Sequence, residues 1–345
     1  VSTKVTLQDL ADMAGVHRST VSLALRDHPR ISQEVRRRVQ ALAKKHDYRI
    51  HPLVAALMQS RRTGGVEKHV ALAYVTNYPT RDGWRPPHHD RPDFFPGAVQ
   101  RAQELGYKLE HFWLGEPGMT TKRFCDILVS RGIHGLVIGR LPPGQSSMEL
   151  EWERFSAVAL GMTLRQPLLH HVTENHFDTA RQAVRQCLKR GYRRIGFVFS
   201  EADDSPRVGT RWLGAHLVSV LQADDAVQLA PCPEHVDRER AFREWFARER
   251  PDAIIATHAR PVLGWLAHLG VSVPEQVGVV DLAADPHVDC ASVRHDPHKI
   301  GGLAVEMLVG LMQRHETGVP LDQHEILLTG VWHEGRTLRP PTHGV

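Results

Sequence analysis

The chain has 345 residues, 41% hydrophobic and 24% charged, the balance of a globular protein large enough for two or three folding units. No apolar run comes near the roughly 18 residues of a membrane-spanning helix. Lys4, Asp9, Asp12, His17 and Arg18 interrupt the first apolar positions, so no signal-peptide core is expected either. Cys125, Cys187, Cys232 and Cys290 lie far apart without a CxxC pair, which argues against a disulfide framework or a zinc cage and for a reducing cytoplasm.

Charge is unevenly distributed. Residues 1–63 hold twelve Lys/Arg against five Asp/Glu, a balance of +7, while the rest of the chain stands at −3. A small basic head on a near-neutral body is the layout of a nucleic-acid module joined to something else. The head also has helix grammar. Thr6-Leu7-Gln8-Asp9 is a capping-box pattern, and Leu7, Leu10, Ala11 and Ala14 recur at helical spacing. Gly15 ends that helix and Val16 is placed to plug a core. A second helix is predicted from about His17 to Arg26, with Val21, Ala24 and Leu25 inward and Arg18, Ser19, Ser22, Leu23 and Arg26 outward. A third runs from a Ser32 cap to about Lys45, packing Val35, Val39 and Leu42 and leaving Arg36, Arg37, Arg38, Lys44 and Lys45 in water. Two short helices about a glycine turn read as a helix-turn-helix, whose second helix enters the major groove.

Thr6-Leu7-Gln8-Asp9-Leu10-Ala11, Ala14-Gly15-Val16 and Ser19-Thr20-Val21-Ser22, followed by Ile31-Ser32 and Tyr48, closely resemble the headpiece of the lac repressor (LacI) family over about 55 residues. The resemblance implies that Arg18 and Ser19 begin the recognition helix at base edges, with Ser22, Leu23 and Arg26 further along it. It places Thr6, Thr20 and Ser32 at phosphates, a role compatible with helix capping. Three positions depart from the family: His17 stands for the usual Ser, Leu23 for a frequent Arg and Arg26 for a frequent Asn. Leu23 has no hydrogen bond to offer a base and is suited to a thymine methyl, so an atypical operator is expected.

Residues 51–67 are the expected hinge helix and linker, with Pro52 presetting a first turn. In the family this helix folds on DNA and pushes a Leu into the minor groove. Leu57 aligns with that wedge, and His51 and Val54 with its neighbours in the groove. His51 and Pro52 replace the family's usual Asn and Arg.

Beyond Gly64-Gly65 the pattern becomes α/β. Strands are predicted at 70–75, 109–114, 135–139, 157–160, 194–199, 253–256 and 277–281, separated by helices at 95–105, 122–131, 179–190, 212–221, 238–248 and 261–269. The alternation implies an α/β core of two doubly wound lobes, with ligand in the cleft between them. Phe94-Phe95, Glu104-Leu105-Gly106-Tyr107, Arg131-Gly132-Ile133-His134-Gly135 and Lys189-Arg190-Gly191-Tyr192-Arg193-Arg194-Ile195-Gly196 resemble the family's body, which shares a periplasmic-binding-protein-like fold. The resemblance implies three strand exchanges, near 173, 293 and 325. Lobe 1 is then about 68–173 and 294–325, lobe 2 about 174–293 and 326–335, and 336–345 a C-terminal tail; the headpiece is 1–50 and the effector-binding and dimerisation core 68–335.

Effector contacts are less legible. Arg211-Trp212-Leu213-Gly214 matches the family's Arg-x-x-Gly phrase, whose Arg grips ligand; a surface salt bridge is the alternative. Thr257-His258 stands where the family has Asn-Asp, and the usual ligand carboxylate aligns with Ala284, leaving Asp281 and Asp285 as substitutes. Tyr78, Trp84 and Phe95 are candidates for stacking on a sugar ring, or for lobe packing. His88-His89 and His170-His171 lack metal-ligand spacing, and no phosphate loop or nucleophile elbow marks an enzyme. The resulting expectation is a cytoplasmic, DNA-binding transcriptional regulator, a homodimer without cofactor or metal, whose operator affinity is set by a small-molecule effector. A solute-binding protein without regulatory function is the rival reading for the body alone.

Overall fold

The computed structural model describes residues 7–25, 31–46, 70–86, 92–199, 208, 210–233 and 236–341. The chain divides into a unit of residues 1–68 and a unit of residues 69–345.

In the first unit, helices α1 (Leu7–Ala14), α2 (Arg18–Ala24) and α3 (Gln33–Lys45) close around Leu10, Ala11, Ala14, Val21, Ala24, Val39 and Ala43, all buried. Val16, Leu25, Ile31, Val35 and Leu42 pack against this core. Gly15, at φ +61, lets α1 end in a left-handed cap: its N–H bonds to Asp12 O and that of Val16 to Ala11 O. Gln40 of α3 donates to Ala24 O at the end of α2, fastening the two helices. Arg36, expected in water, is half-buried, whereas Arg37, Arg38 and Lys45 are exposed.

The second unit contains two α/β lobes. Lobe 1 is a six-stranded, wholly parallel sheet of β1 (Val70–Thr76), β2 (Tyr107–Trp113), β3 (Gly135–Ile138), β4 (Ser156–Leu160), β5 (His170–Glu174) and β10 (Glu325–Leu328), in the order β10-β5-β4-β3-β1-β2. Helices α4 (Phe95–Glu104) and α10 (Pro297–Arg314) cover one face; α5 (Thr121–Ser130) and the segment through Phe155 cover the other. Strand β1 is buried on both faces, which is why its sequence is continuously apolar. A Cβ on Gly301 would stand 2.0 Å from Phe94 O, so the α4 and α10 backbones touch and only glycine fits there.

Lobe 2 carries β6 (Ile195–Val198), β7 (Ala253–Ala256), β8 (Gly278–Asp281), β9 (Ala291–Arg294) and β11 (Val331–His333) in the order β11-β9-β8-β7-β6, parallel except for β11. Helices α6 (His176–Leu188) and α7 (Thr210–Leu221) pack on one face, α8 (Arg238–Glu249) and α9 (Ala259–His268) on the other.

The chain passes between lobes after β5, after β9 and after β10. Because β10 pairs with β5, from Glu325↔His171 to Leu328↔Glu174, the third passage falls at 329–330 rather than at 325. Residues 337–339 are not a tail: Thr337 Oγ1 donates to Val279 O, and Leu338 enters the lobe 2 core. Helix α10 and strands β5, β9, β10 and β11 were not among the predicted elements.

Candidate nucleic-acid interface and effector cleft

Helix α2 is capped by His17, whose backbone is extended and whose Nδ1 accepts from Ser19 N at 3.3 Å and pairs with Ser19 Oγ at 2.8 Å. A histidine ring thus does the capping that a hydroxyl more often does. His17, Arg18 and Ser19 are exposed, and Thr20 and Leu23 are half-buried. Ser32 is exposed and accepts from Val35 N as the cap of α3. The exposed Arg18 guanidinium at the start of α2 can hold a phosphate or a guanine edge. Thr6, Arg26, His51, Val54, Leu57, the hinge, His88-His89 and the side chain of Ser22 lie outside the described residues.

In the body, candidate residues form three groups, two at the carboxyl ends of the strands and one at the seam between the lobes. On lobe 1, Phe95 meets Tyr74 and Trp84 edge to face at 5.0 and 5.3 Å. Tyr78 is buried, with its OH 3.5 Å from Leu141 O. Strands β1 and β3 diverge in connection here, the switch point at which such sheets bind ligands. A small hollow at this point is lined by Tyr74, Thr76, Trp84, Asp93, Phe94 and Arg140.

On lobe 2, β7 and β8 pair Ala256 with Asp281, and His258, two residues beyond β7, is near enough to act on the Asp281 carboxyl. Asp281 is fully buried and accepts from Ala259 N, Ala283 N and Asp285 N. Burial pushes its pKa up against those bonds and the nearby His258. Its oxygens therefore organise the loop after β8, where Ala284 takes a positive φ of 54. Asp285 is gripped by Arg260 at 2.6 and 3.1 Å. Burial opposes its ionisation, but the His287 N–H and Arg260 hold its pKa below the ordinary value.

The third group lies at the seam between the lobes. Arg211 of α7 reaches across to Glu325 of β10 at 2.9 and 3.3 Å. Arg211 holds the Glu325 pKa down, against burial and with help from His171, whose Nε2 is 3.3 Å away. Next along β5, the Glu174 carboxylate stands 3.5 Å from Arg140 and 3.4 Å from His176 Nε2. Burial works against its charge, yet His176, Arg140 and His295 bring it down to about 2. Glu174, His176, Arg140 and Glu325 were missed by sequence reading. The available signal was Glu174-Asn175, a strand end followed by the residue that caps α6 by accepting from Asp178 N. His170 and His171 point to opposite sides of β5; His170 Nδ1 accepts from His324 N, and Nδ1 of His171 lies 2.8 Å from Gln323 Nε2.

The profile of the LacI family of bacterial regulatory proteins matches residues 6–50, and that of the periplasmic binding protein-like domain matches residues 184–338. The HTH-type transcriptional repressor CytR of Escherichia coli (strain K12) is 22% identical over 339 residues, 92% of each chain. The NTD biosynthesis operon regulator NtdR of Bacillus subtilis is 23% identical over 204 residues, 56% of this chain; the match spans about half of NtdR, 55% of its length. Among solved structures, the lac repressor dimer bound to operator and the anti-inducer ONPF shares the fold at 16% identity, with a TM-score of 0.52 and coverage of 97% and 99%. Headpiece, body and relatives agree: the chain joins a domain of the LacI family of bacterial regulatory proteins to a periplasmic binding protein-like domain, in the fold of the lac repressor.

Proposed function

We propose that this regulator is a cytoplasmic repressor that binds a pseudopalindromic operator as a homodimer, and that a carbohydrate-like small molecule held between the lobes sets its operator affinity. The observation that carries the DNA reading is the exposed start of α2, where His17, Arg18 and Ser19 project from a closed three-helix core. Arg18 and Ser19 read bases with Ser22, Leu23 and Arg26, while Thr6, Thr20 and Ser32 hold phosphates. Two-fold symmetry doubles the short half-site that one headpiece reads. His51, Val54 and Leu57 of the hinge work in the minor groove, Leu57 as the wedge. Repression is supported by CytR, a repressor that aligns over 92% of this chain.

On the effector side, Arg211 at the seam is the principal contact, with Tyr78 and Phe95 from lobe 1 and His258, Asp281 and Asp285 from lobe 2 around the cleft. A ligand changes operator affinity only through its different affinity for two lobe arrangements. The Arg211–Glu325 pair spans the lobes and so differs between such arrangements.

The test is selection from a random duplex pool by the full chain at low salt, followed by footprinting of the recovered sequences. Related half-sites in inverted repeat support the reading. A protein that retains duplexes without any sequence preference refutes it.

A further inference from the structure

Nδ1 of His176 and Nε1 of Trp212, at the seam, are among the buried polar atoms without a hydrogen-bond partner. His176 is 5% exposed and Trp212 6%. They stand on the opening turns of α6 and α7, helices that pack against each other. Their rings meet edge to face, with centroids 5.4 Å apart and planes at 65°. His176 Nε2 faces the Glu174 carboxylate at 3.4 Å. An ionised carboxylate only accepts, so Nε2 carries a proton there, and in the uncharged form of the ring Nδ1 is an acceptor. Indole Nε1 is a donor and nothing else. Neighbouring helices thus present one unused acceptor and one unused donor. The smallest group that satisfies both is a hydroxyl, which gives one hydrogen bond and takes another.

The surroundings favour an uncharged bearer of that hydroxyl. Trp212 follows Arg211, which Glu325 neutralises, and His176 adjoins Glu174, which Arg140 neutralises. Two arginines and two carboxylates balance, so a neutral ligand enters without displacing either member of a pair.

We propose that His176 and Trp212 are specificity-determining residues of the effector site and that together they read one hydroxyl of a neutral, polyhydroxylated ligand. The inference rests on the proposed function in placing the effector between the lobes, and it adds two residues and the chemical group they recognise. A site built around a hydroxyl discriminates strongly against the analogue that lacks it, because the buried donor and acceptor are left unpaired.

Calorimetry on the full chain tests this with D-glucose, D-ribose, maltose, cellobiose and uridine, each accompanied by its monodeoxy analogues. One parent compound is expected to bind, and one of its deoxy analogues to bind about 10- to 100-fold more weakly. Trp212→Phe keeps the ring and deletes the N–H; it is expected to lose a similar factor for the parent and nothing further for that analogue. His176→Asn, read by the same cycle, serves where Trp212→Phe does not fold. No binding by any parent, equal binding by every deoxy analogue, or losses from protein and ligand that simply add would overturn the inference. Operator titration separates the two readings. A protein that binds operator specifically but no parent fails here alone. One that passes the deoxy cycle with unchanged operator affinity supports the hydroxyl-reading pair and refutes the effector switch.

Discussion

Glu174 offers the clearest quantitative handle on the seam, because its charge is buried yet stabilised. Its side chain is 17% exposed, and His176 and Arg140 lower its pKa from 4.5 to about 2. A carboxyl that holds its charge more tightly when folded adds stability above its unfolded pKa and loses it as pH falls through its folded pKa. The difference between 4.5 and 2 corresponds to about 3 kcal/mol near neutral pH, of which about 2 kcal/mol is gone by about pH 3. Glu174→Gln removes the charge and leaves a similar shape, so the variant should be less stable than wild type by about 3 kcal/mol at neutral pH and by about 1 kcal/mol at about pH 3. Urea unfolding of both proteins, monitored by circular dichroism across this range, measures the difference at each pH. A gap that stays constant with pH, or widens on acidification, refutes the reasoning, since either result means that Glu174 gains nothing from being ionised in the fold.

Arg18→Ala is expected to relax preference at one base pair per half-site at about 1–3 kcal/mol per contact, read by mobility shift against single-base operator variants. Leu57→Ala should leave the free protein folded but reduce DNA bending in a circular-permutation gel; unchanged bending would assign Leu57 to ordinary packing. Arg211→Ala should bind operator without effector as wild type does and lose the response to effector, measured by operator titration with any ligand found by calorimetry.

The headpiece was readable from sequence because its constraints are local. Leu10, Ala11 and Ala14 in α1, Val21 and Ala24 in α2, and Val35, Val39 and Leu42 in α3 recur at helical spacing, and Gly15 marks the turn by its own stereochemistry. The central strands were readable because burial on both faces forces uninterrupted apolar runs such as those of β1 and β7. Helix α10 escaped despite the Asp296-Pro297 start, at which the Asp296 carboxylate caps His298 and Lys299 N–H. Gly301, Gly302 and Gly310 lower its helix propensity, and at Gly301 the reason is the close approach of α4, a contact about 200 residues away in sequence. Strand β10 escaped because it is a half-exposed edge whose pairing with β5 is specified by the partner and not by its own pattern.

The site divides the same way. Arg211 was visible through a local phrase, but Glu325 lies 114 residues further on. Asp281 was a candidate only as a substitute for the ligand carboxylate that aligns with Ala284, and its three backbone hydrogen bonds show how a carboxylate at a strand end serves the loop that follows. The seam of Glu174, His176 and Arg140 exists only once strands from distant parts of the chain stand side by side.

The three passages between the lobes have a mechanical consequence. Each lobe is assembled from two separated stretches, so neither can be excised as a single fragment. A protease that nicks one passage leaves two covalent ties, and the nicked protein should migrate intact under native conditions. Three parallel ties also resist twisting of one lobe about the other more than they resist bending. Three such ties favour hinge bending over twisting, and β10, which leads directly into the last tie, carries the lobe 1 half of the Arg211–Glu325 pair.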